Sequence, residues 1–384
     1  MNKTLIFCAD GTWNGPGQDD DNDGSPEFTN VYKLFLGLEG ELSPETICNA
    51  DEQEKFLKEG NKLVQVTKYI HGVGDSRNAI RKIMGGAFGA GTIARIVRGY
   101  TFISRNFAPG DAIVLTGFSR GAYTARALAG LIVSEGLLAK SLTKDKEVAY
   151  RWGAKAWYRY RRKAKGAKKP RFLKRFAEAM ADLPAFVSAD DLKDKDLVPV
   201  QTIKAVAVWD TVGALGLPAY EDDARVDAFR FADNCLSSKV EWGFHAVSID
   251  EQRLDFLPTM WANRKNVVQV LFPGAHADVG GGYTTRGGES GLSNGALLWM
   301  VDQLRGVGVQ IADSIAASNK ADAGGVAHQP WRHKPFDLPG KAHPRNFSGT
   351  TVQEDSSIAQ RMALPSVVAE PGDLPGKYRP TNRP

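Results

Sequence analysis

The pentapeptide Gly117-Phe118-Ser119-Arg120-Gly121 follows an apolar run, Ala112–Thr116, and precedes a helical pattern, Ala122–Glu135. A serine in G-x-S-x-G between a strand and a helix has the setting of an exposed nucleophile. The glycines lack Cβ atoms, so the chain can turn sharply there. Ser119 would stand at a helix N-terminus, with the amide of Arg120 aimed at a developing oxyanion. The alternative role is a Gly-rich turn that only packs closely. A serine nucleophile needs a base, and the sequence has 6 histidines. His328, His333 and His343 lie in a Pro- and Gly-rich tail and read as surface residues. His245 sits in GFHAVSIDEQR, which reads as helical, and His71 precedes the nucleophile. His276, in FPGAHADVGGGY, directly follows an apolar run and is the candidate base. Hydrolases of this type run Ser, acid, His along the chain. Asp210, in AVWDTVG, leads as the acid that would orient the imidazole. Asp278 and Asp250 are rivals, and Asp210 has the alternative role of capping the next turn. A second oxyanion amide would come from Asp10-Gly11-Thr12, with Gly11 as donor and Asp10 as a brace. Such a set would act through a covalent intermediate on the serine, and no cofactor and no metal is expected.

Five short apolar runs would position these residues: Thr4–Ala9, Val64–Ile70, Ala112–Thr116, Ala205–Val208 and Val267–Phe272. Each ends in a small or polar loop, and all but the one after Val64–Ile70 carry a candidate residue. None alternates strictly, as expected of strands buried on both faces of a parallel sheet. Helical patterns lie between them, at Gly91–Asn106, Ala122–Glu135, about Thr143–Met180 and Ser293–Gly306. The expected fold is α/β, a doubly wound, mostly parallel, three-layer sheet with a helical basic insertion. One domain over 1–384 is expected, with a cap-like insertion at about 143–196 and an irregular segment at about 316–384.

Composition narrows the class. The chain has 384 residues, 42% hydrophobic and 24% charged. These values exclude a mostly disordered chain or a fibre. No apolar stretch approaches the ~18 residues of a spanning helix. MNKTLIFCADGTW has too short an apolar core for a signal peptide. Synthesis in the cytoplasm is expected, with any export by a route that reads no such peptide. Cys8, Cys48 and Cys235 are widely spaced and suggest neither a disulfide framework nor a cysteine metal site. Net charge is +5, yet 155–175 holds eleven basic residues and no acidic one. Trp152, Trp157, Tyr158, Tyr160, Phe172 and Phe176 interleave with them. This segment suits an anionic membrane surface or an acidic partner; its plainer role is a solvated helix whose aromatics pack on the body. Nucleic acid is not expected. Asp19–Asp23 followed by Gly24 matches half of a calcium loop, but Asn30 stands where the closing glutamate belongs. A solvated acidic loop is expected there.

FCADGTWN, TNVYKL, YIHGVGD, GDAIVLTGFSRGAYTARALAGLI, VWDTVGALG, FHAVSIDEQRLDFLPTMW, FPGAHADVGGGY and GLSNGALLWM occur in this order. Together they resemble a long-uncharacterised α/β-hydrolase domain family that includes the type VI secretion phospholipase effectors. SSIAQRM and KYRPTN resemble its closing segment. The resemblance implies a Ser–Asp–His triad at Ser119, Asp210 and His276. It also implies hydrolysis of lipid or phospholipid esters and a possible secretion-system partner. The chain departs from the family where Glu354-Asp355 stand in place of a histidine, and in its acidic and basic segments. Two other readings follow from the residues: an esterase or thioesterase for small soluble substrates, and a non-catalytic binding protein using the basic segment.

Overall fold

The computed structural model describes residues 2–11, 27–47, 52–72, 88–164, 192–212, 235–334, 336–337, 343–380 and 382–383. The Asp19–Asp23 loop and 165–191 of the basic insertion lie outside these residues. The strands are β1 (Thr4–Ala9), β2 (Glu41–Leu42), β3 (Glu52–Glu59), β4 (Lys62–Ile70), β5 (Ala112–Phe118), β6 (Leu137–Leu138), β7 (Leu197–Val198), β8 (Ile203–Trp209), β9 (Val240–Ser248), β10 (Val267–Phe272) and β11 (Gln353–Glu354). The helices are α1 (Asn30–Gly37), α2 (Phe88–Asn106), α3 (Arg120–Glu135), α4 (Lys146–Ala164), α5 (His276–Gly280), α6 (Gly291–Gly306), α7 (Ser314–Ser318) and α8 (Ser356–Ala363).

Nine strands form one sheet in the order β11-β10-β9-β8-β5-β1-β4-β3-β2. The seven from β11 to β4 run parallel, and β3 and β2 add an antiparallel edge. Successive side chains of a strand point to opposite faces. On β1, Leu5, Phe7 and Ala9 enter one core with Ile96, Ile103, Leu128 and Trp157 from α2, α3 and α4. Ile6 and Cys8 enter the other, with Leu34, Phe35, Leu297 and Met300 from α1 and α6. Both faces are covered, which is why the central strands read as continuous apolar runs. The result is the expected mostly parallel, three-layer α/β fold.

The register sets the working edge. Ala9 pairs with Gly117, Phe118 with Trp209, and Ser248 with Phe272. The carboxyl ends of β1, β5, β8, β9 and β10 therefore finish level. Loops beyond that edge are where ligands meet open α/β sheets.

Three expectations are corrected. GFHAVSIDEQR is not helical: residues through Ser248 form the end of β9, a central strand between β8 and β10. Its faces are both buried, so neither period is visible in the sequence. The edge strands β2 and β3 escaped notice because they are highly charged. There, Lys68 Nζ lies 2.7 Å from Glu52 and 3.2 Å from Glu54, while Lys55 Nζ donates to the carbonyls of Phe35, Leu36 and Leu38 at the end of α1. Pairing and carbonyl capping let these charges be buried. The tail is also more regular than expected, since β11 extends the sheet and α8 is capped by Asp355, whose Oδ1 accepts the Ser357 N–H.

The described half of the basic segment lies on α4. Trp157 is buried against the body, and Arg159 and Lys163 pair with the buried Glu135 of α3 at 2.8 and 3.0 Å. In this half the aromatic Trp157 packs on the body, and Arg159 and Lys163 are engaged by Glu135.

Candidate active site

Ser119 follows β5 and precedes α3 with φ 57° and ψ −119°. Among the described residues only Ser119 and Asp210 combine a side chain with positive φ, Asp210 at 34°. Such backbone is costly for an L-residue and persists only where the surroundings over-determine it. The Ser119 N–H donates to Trp209 O at 3.1 Å, tying the turn to β8. The flanking glycines are a steric requirement. A Cβ on Gly117 would meet Gly121 O at 2.3 Å, and one on Gly121 would meet Ala9 O at 2.1 Å and Asp10 O at 2.5 Å. These are backbone atoms that cannot swing aside. Gly121→Ala is expected to destabilise the fold by about 1–3 kcal/mol, as overpacked sites do. Urea unfolding of the variant against wild type checks this.

His276 is the first residue of α5, directly beyond β10. Its Nε2 lies 2.8 Å from Ser119 Oγ and its Nδ1 2.5 Å from Asp210 Oδ2. With Asp210 ionised, and therefore only an acceptor, the proton sits on Nδ1 and Nε2 accepts the Ser119 O–H. The ring is flanked by Phe118 and Phe256, with centroids at 4.6 and 4.9 Å. Asp210 is wholly buried at the end of β8. Its Oδ1 accepts the Ser248 N–H at 3.0 Å. Both its oxygens also accept from Arg345, at 2.7 and 2.8 Å. Burial pushes the Asp210 carboxyl up, but the Arg345 guanidinium and His276 outweigh it and hold the group well below the usual carboxylate range. Burial pushes the His276 imidazole below its ordinary 6.5, against the opposing attraction of Asp210. The imidazole is thus neutral and able to take a proton at neutral pH.

The family sequence profile described as "T6SS, Phospholipase effector Tle1-like, catalytic domain" matches residues 3–303. The chain belongs to this family. It is also 34% identical over 149 residues to the uncharacterized protein YEL023C of Saccharomyces cerevisiae, covering 38% of this chain and 20% of that one. Among solved structures it is similar to an uncharacterized protein from Pseudomonas aeruginosa, with TM-score 0.44 and 19% identity over 84% of this chain and 49% of the other. The Tle1 effector bound to the VgrG spike from the Type 6 secretion system gives 0.38 and 17%, over 74% of this chain and 52% of that one. A thermophilic esterase from the planctomycete Thermogutta terrifontis gives 0.31 and 12%, over 71% and 94%. The chain spans about a fifth of the yeast protein and about half of the first two solved chains.

In this member of the family the rival acids serve the histidine loop. Asp278 Oδ2 accepts the N–H groups of Ala275 and His328, and its Oδ1 lies 2.7 Å from His328 Nδ1. Asp250 Oδ2 accepts the Gly274 N–H and the Tyr378 O–H at 2.7 and 2.8 Å. Glu251, which the sequence reading missed, accepts the His276 N–H itself at 3.1 Å. Burial opposes its ionisation, but Arg253 and neighbouring cations win and hold its pKa at about 2. His328 corrects the expectation of a surface residue, since it is buried between Asp278 and Glu289, with Tyr283 stacked on its ring. His245 supports the acid's loop: its Nε2 accepts the Thr211 N–H at 3.0 Å. His333 pairs with Glu370 at 2.8 Å, and the His343 N–H donates to Gln252 O.

The two expected oxyanion donors, Arg120 and Gly11, flank the site from α3 and from the loop after β1. Arg120 opens α3 beside Ser119. The Gly11 N–H donates to Asp10 Oδ1 at 2.7 Å. The short loop lets the Asp10 carboxylate fold back on its neighbour's amide. Asp10 also accepts from Tyr69 at 2.7 Å and Thr29 at 2.8 Å, which makes it the expected brace. Burial raises its pKa to about 7. Among the described residues no cluster of His, Cys, Asp and Glu could hold a metal ion, and no helix is long and apolar enough to cross a membrane.

Proposed function

We propose that the protein is a serine hydrolase of carboxylic esters, acting on lipid or phospholipid acyl esters. The observation that carries this reading is the hydrogen-bonded chain Ser119–His276–Asp210 at the strained turn between β5 and α3. Membership of the phospholipase effector family supports the lipid part. Ser119 Oγ attacks the acyl carbonyl while His276 Nε2 takes its proton. His276 then returns the proton to the departing alcohol. Asp210 keeps the Nδ1 tautomer and stabilises the imidazolium. The amide of Arg120 binds the oxyanion. Gly11 joins it once its N–H leaves Asp10. Water, activated by His276, releases the acyl group. The basic segment 155–175, six of whose eleven basic residues lie beyond the described part, meets an anionic lipid surface, as in the electrostatic attachment of other polybasic segments. Docking to a type VI spike is proposed from the relative solved with VgrG.

A fluorophosphonate probe tests the chemistry. It is expected to label Ser119 in the wild type and to leave Ser119→Ala unlabelled. Absence of labelling in folded protein, with and without vesicles, would sink the reading. Hydrolysis of phosphatidylglycerol vesicles against water-soluble short-chain esters then separates a lipid enzyme from a small-ester enzyme. The labelling rate also has an expected pH dependence. His276 must be neutral to act as base, and its pKa is lowered. The rate should therefore rise with pH along an acid limb whose midpoint lies below 6.5. A midpoint above 7 would contradict the buried imidazole described here.

A further inference from the structure

Arg345 comes from the C-terminal segment, beyond residue 303, where the family match ends. Its side chain is 1% exposed. One terminal nitrogen donates to Asp210 Oδ1 at 2.7 Å and to Ser248 O at 2.8 Å. The other donates to Asp210 Oδ2 at 2.8 Å and to Phe256 O at 2.6 Å. The planar fork of a guanidinium matches both oxygens of a carboxylate, so it fixes the rotation of the group as well as its place. The same fork ties down the end of β9 and the Leu254–Phe256 turn, whose Phe256 ring packs on edge against His276. The segment is itself anchored. The His343 N–H donates to Gln252 O, and β11 pairs with β10.

We propose that Arg345 is a positioning residue for the Asp210–His276 pair. The C-terminal segment supplies it to hold the carboxylate in the one rotation that presents Oδ2 to His276 Nδ1. Asp210 sits on positive-φ backbone, and its side chain has no other cation within hydrogen-bond reach among the described residues. This proposal rests on the hydrolase reading for its catalytic meaning. The charged and titratable groups facing His276 are Asp210 from β8 and Glu251 and Arg253 from the turn after β9, while Asp278 on α5 turns to the Ala275 N–H and His328. Those facing Asp210 are Arg345, His276 and His245 of β9. Without Arg345 the Asp210 charge is uncompensated. Either His276 then holds a proton to higher pH, or Asp210 itself takes one up. Both outcomes move the site's proton uptake upward.

The test compares wild type with Arg345→Met, Arg345→Lys and Arg345→Ala, the last with and without added guanidinium ion. The first readout is an NMR titration of the His276 ring, assigned by its loss in His276→Gln. The second is the rate of fluorophosphonate labelling. Arg345→Met is expected to raise the titration midpoint by about one pH unit or more, the usual scale for loss of an adjacent guanidinium. Labelling should slow by about tenfold to a hundredfold, as a misplaced catalytic group does. Guanidinium should restore Arg345→Ala at least in part. Arg345→Lys should fall between, since an ammonium grips one oxygen. A folded Arg345→Met with wild-type titration and labelling overturns the proposal. So does slower labelling with an unmoved titration and no guanidinium rescue, which would make Arg345 only a strut for the tail. If the Met and Ala variants do not fold, Arg345→Lys is read by the same titration, and an unmoved midpoint overturns the proposal. A wild type that is never labelled at Ser119 would count against the hydrolase reading alone, because the titration still reports on Arg345.

Discussion

Ser119→Gly is expected to abolish ester hydrolysis and yet fold more stably than Ser119→Ala. Loss of the nucleophile alone costs on the order of 10⁶-fold in kcat in a serine hydrolase of this mechanism. The two variants lose the same Oγ and the same hydrogen bond to His276. They differ in the backbone, because alanine keeps a Cβ at φ 57° and glycine does not. A side-chain residue in such a region carries about 1–3 kcal/mol of strain. Glycine's extra freedom in the unfolded chain offsets about 0.4–1 kcal/mol of that relief. Ser119→Gly should therefore exceed Ser119→Ala by about 1 kcal/mol in urea unfolding. Equal stability, or an advantage for alanine, would mean that the turn is unstrained. Hydrolysis retained by either variant would remove Ser119 from the mechanism.

Asp210→Asn is expected to act on both activity and stability. An amide can present N–H to Nδ1, which selects the wrong imidazole tautomer and costs about 10⁴-fold in kcat where this has been done in a triad. It also leaves the Arg345 guanidinium, 1% exposed, without its anion. Breaking one side of a buried ion pair costs about 3–5 kcal/mol. Adding Arg345→Met to Asp210→Asn removes the stranded charge. The double variant should regain much of the stability and none of the activity. Thermal unfolding and an ester assay on all three variants form the cycle. Additive losses of stability would show that the two side chains do not act as a pair.

The triad candidates were legible because each lies within a few residues of an apolar strand. Ser119, Asp210 and His276 follow β5, β8 and β10, and a buried parallel strand declares itself as a short apolar run ending in small or polar residues. The same reasoning failed at β9, where GFHAVSIDEQR carries His245 on a strand with no visible period and Glu251 in the turn just after it. It failed again at β2 and β3, whose charges are buried by pairing. His328 was misread because a histidine between two carboxylates, Asp278 and Glu289, has no local signature: its partners lie 50 and 39 residues away.

The sequence by itself determined the parallel α/β class, the sharp turn at Ser119 between its two glycines, and the placing of the candidates Ser119 and His276, with a choice of aspartates, at one sheet edge. These follow from local pattern and from the rule that parallel strands finish together. The sequence ranked Asp210 ahead of Asp278 and Asp250, and tertiary structure added what separates them in space: only Asp210 among the three lies within hydrogen-bond distance of His276 Nδ1. Tertiary structure also turned the Gly11 amide toward Asp10 and brought Arg345 from a proline-flanked stretch of the tail to both oxygens of Asp210. A buried ion pair between residues 135 positions apart leaves no periodicity and no spacing to read. Its address exists only once the C-terminal segment has packed against the sheet.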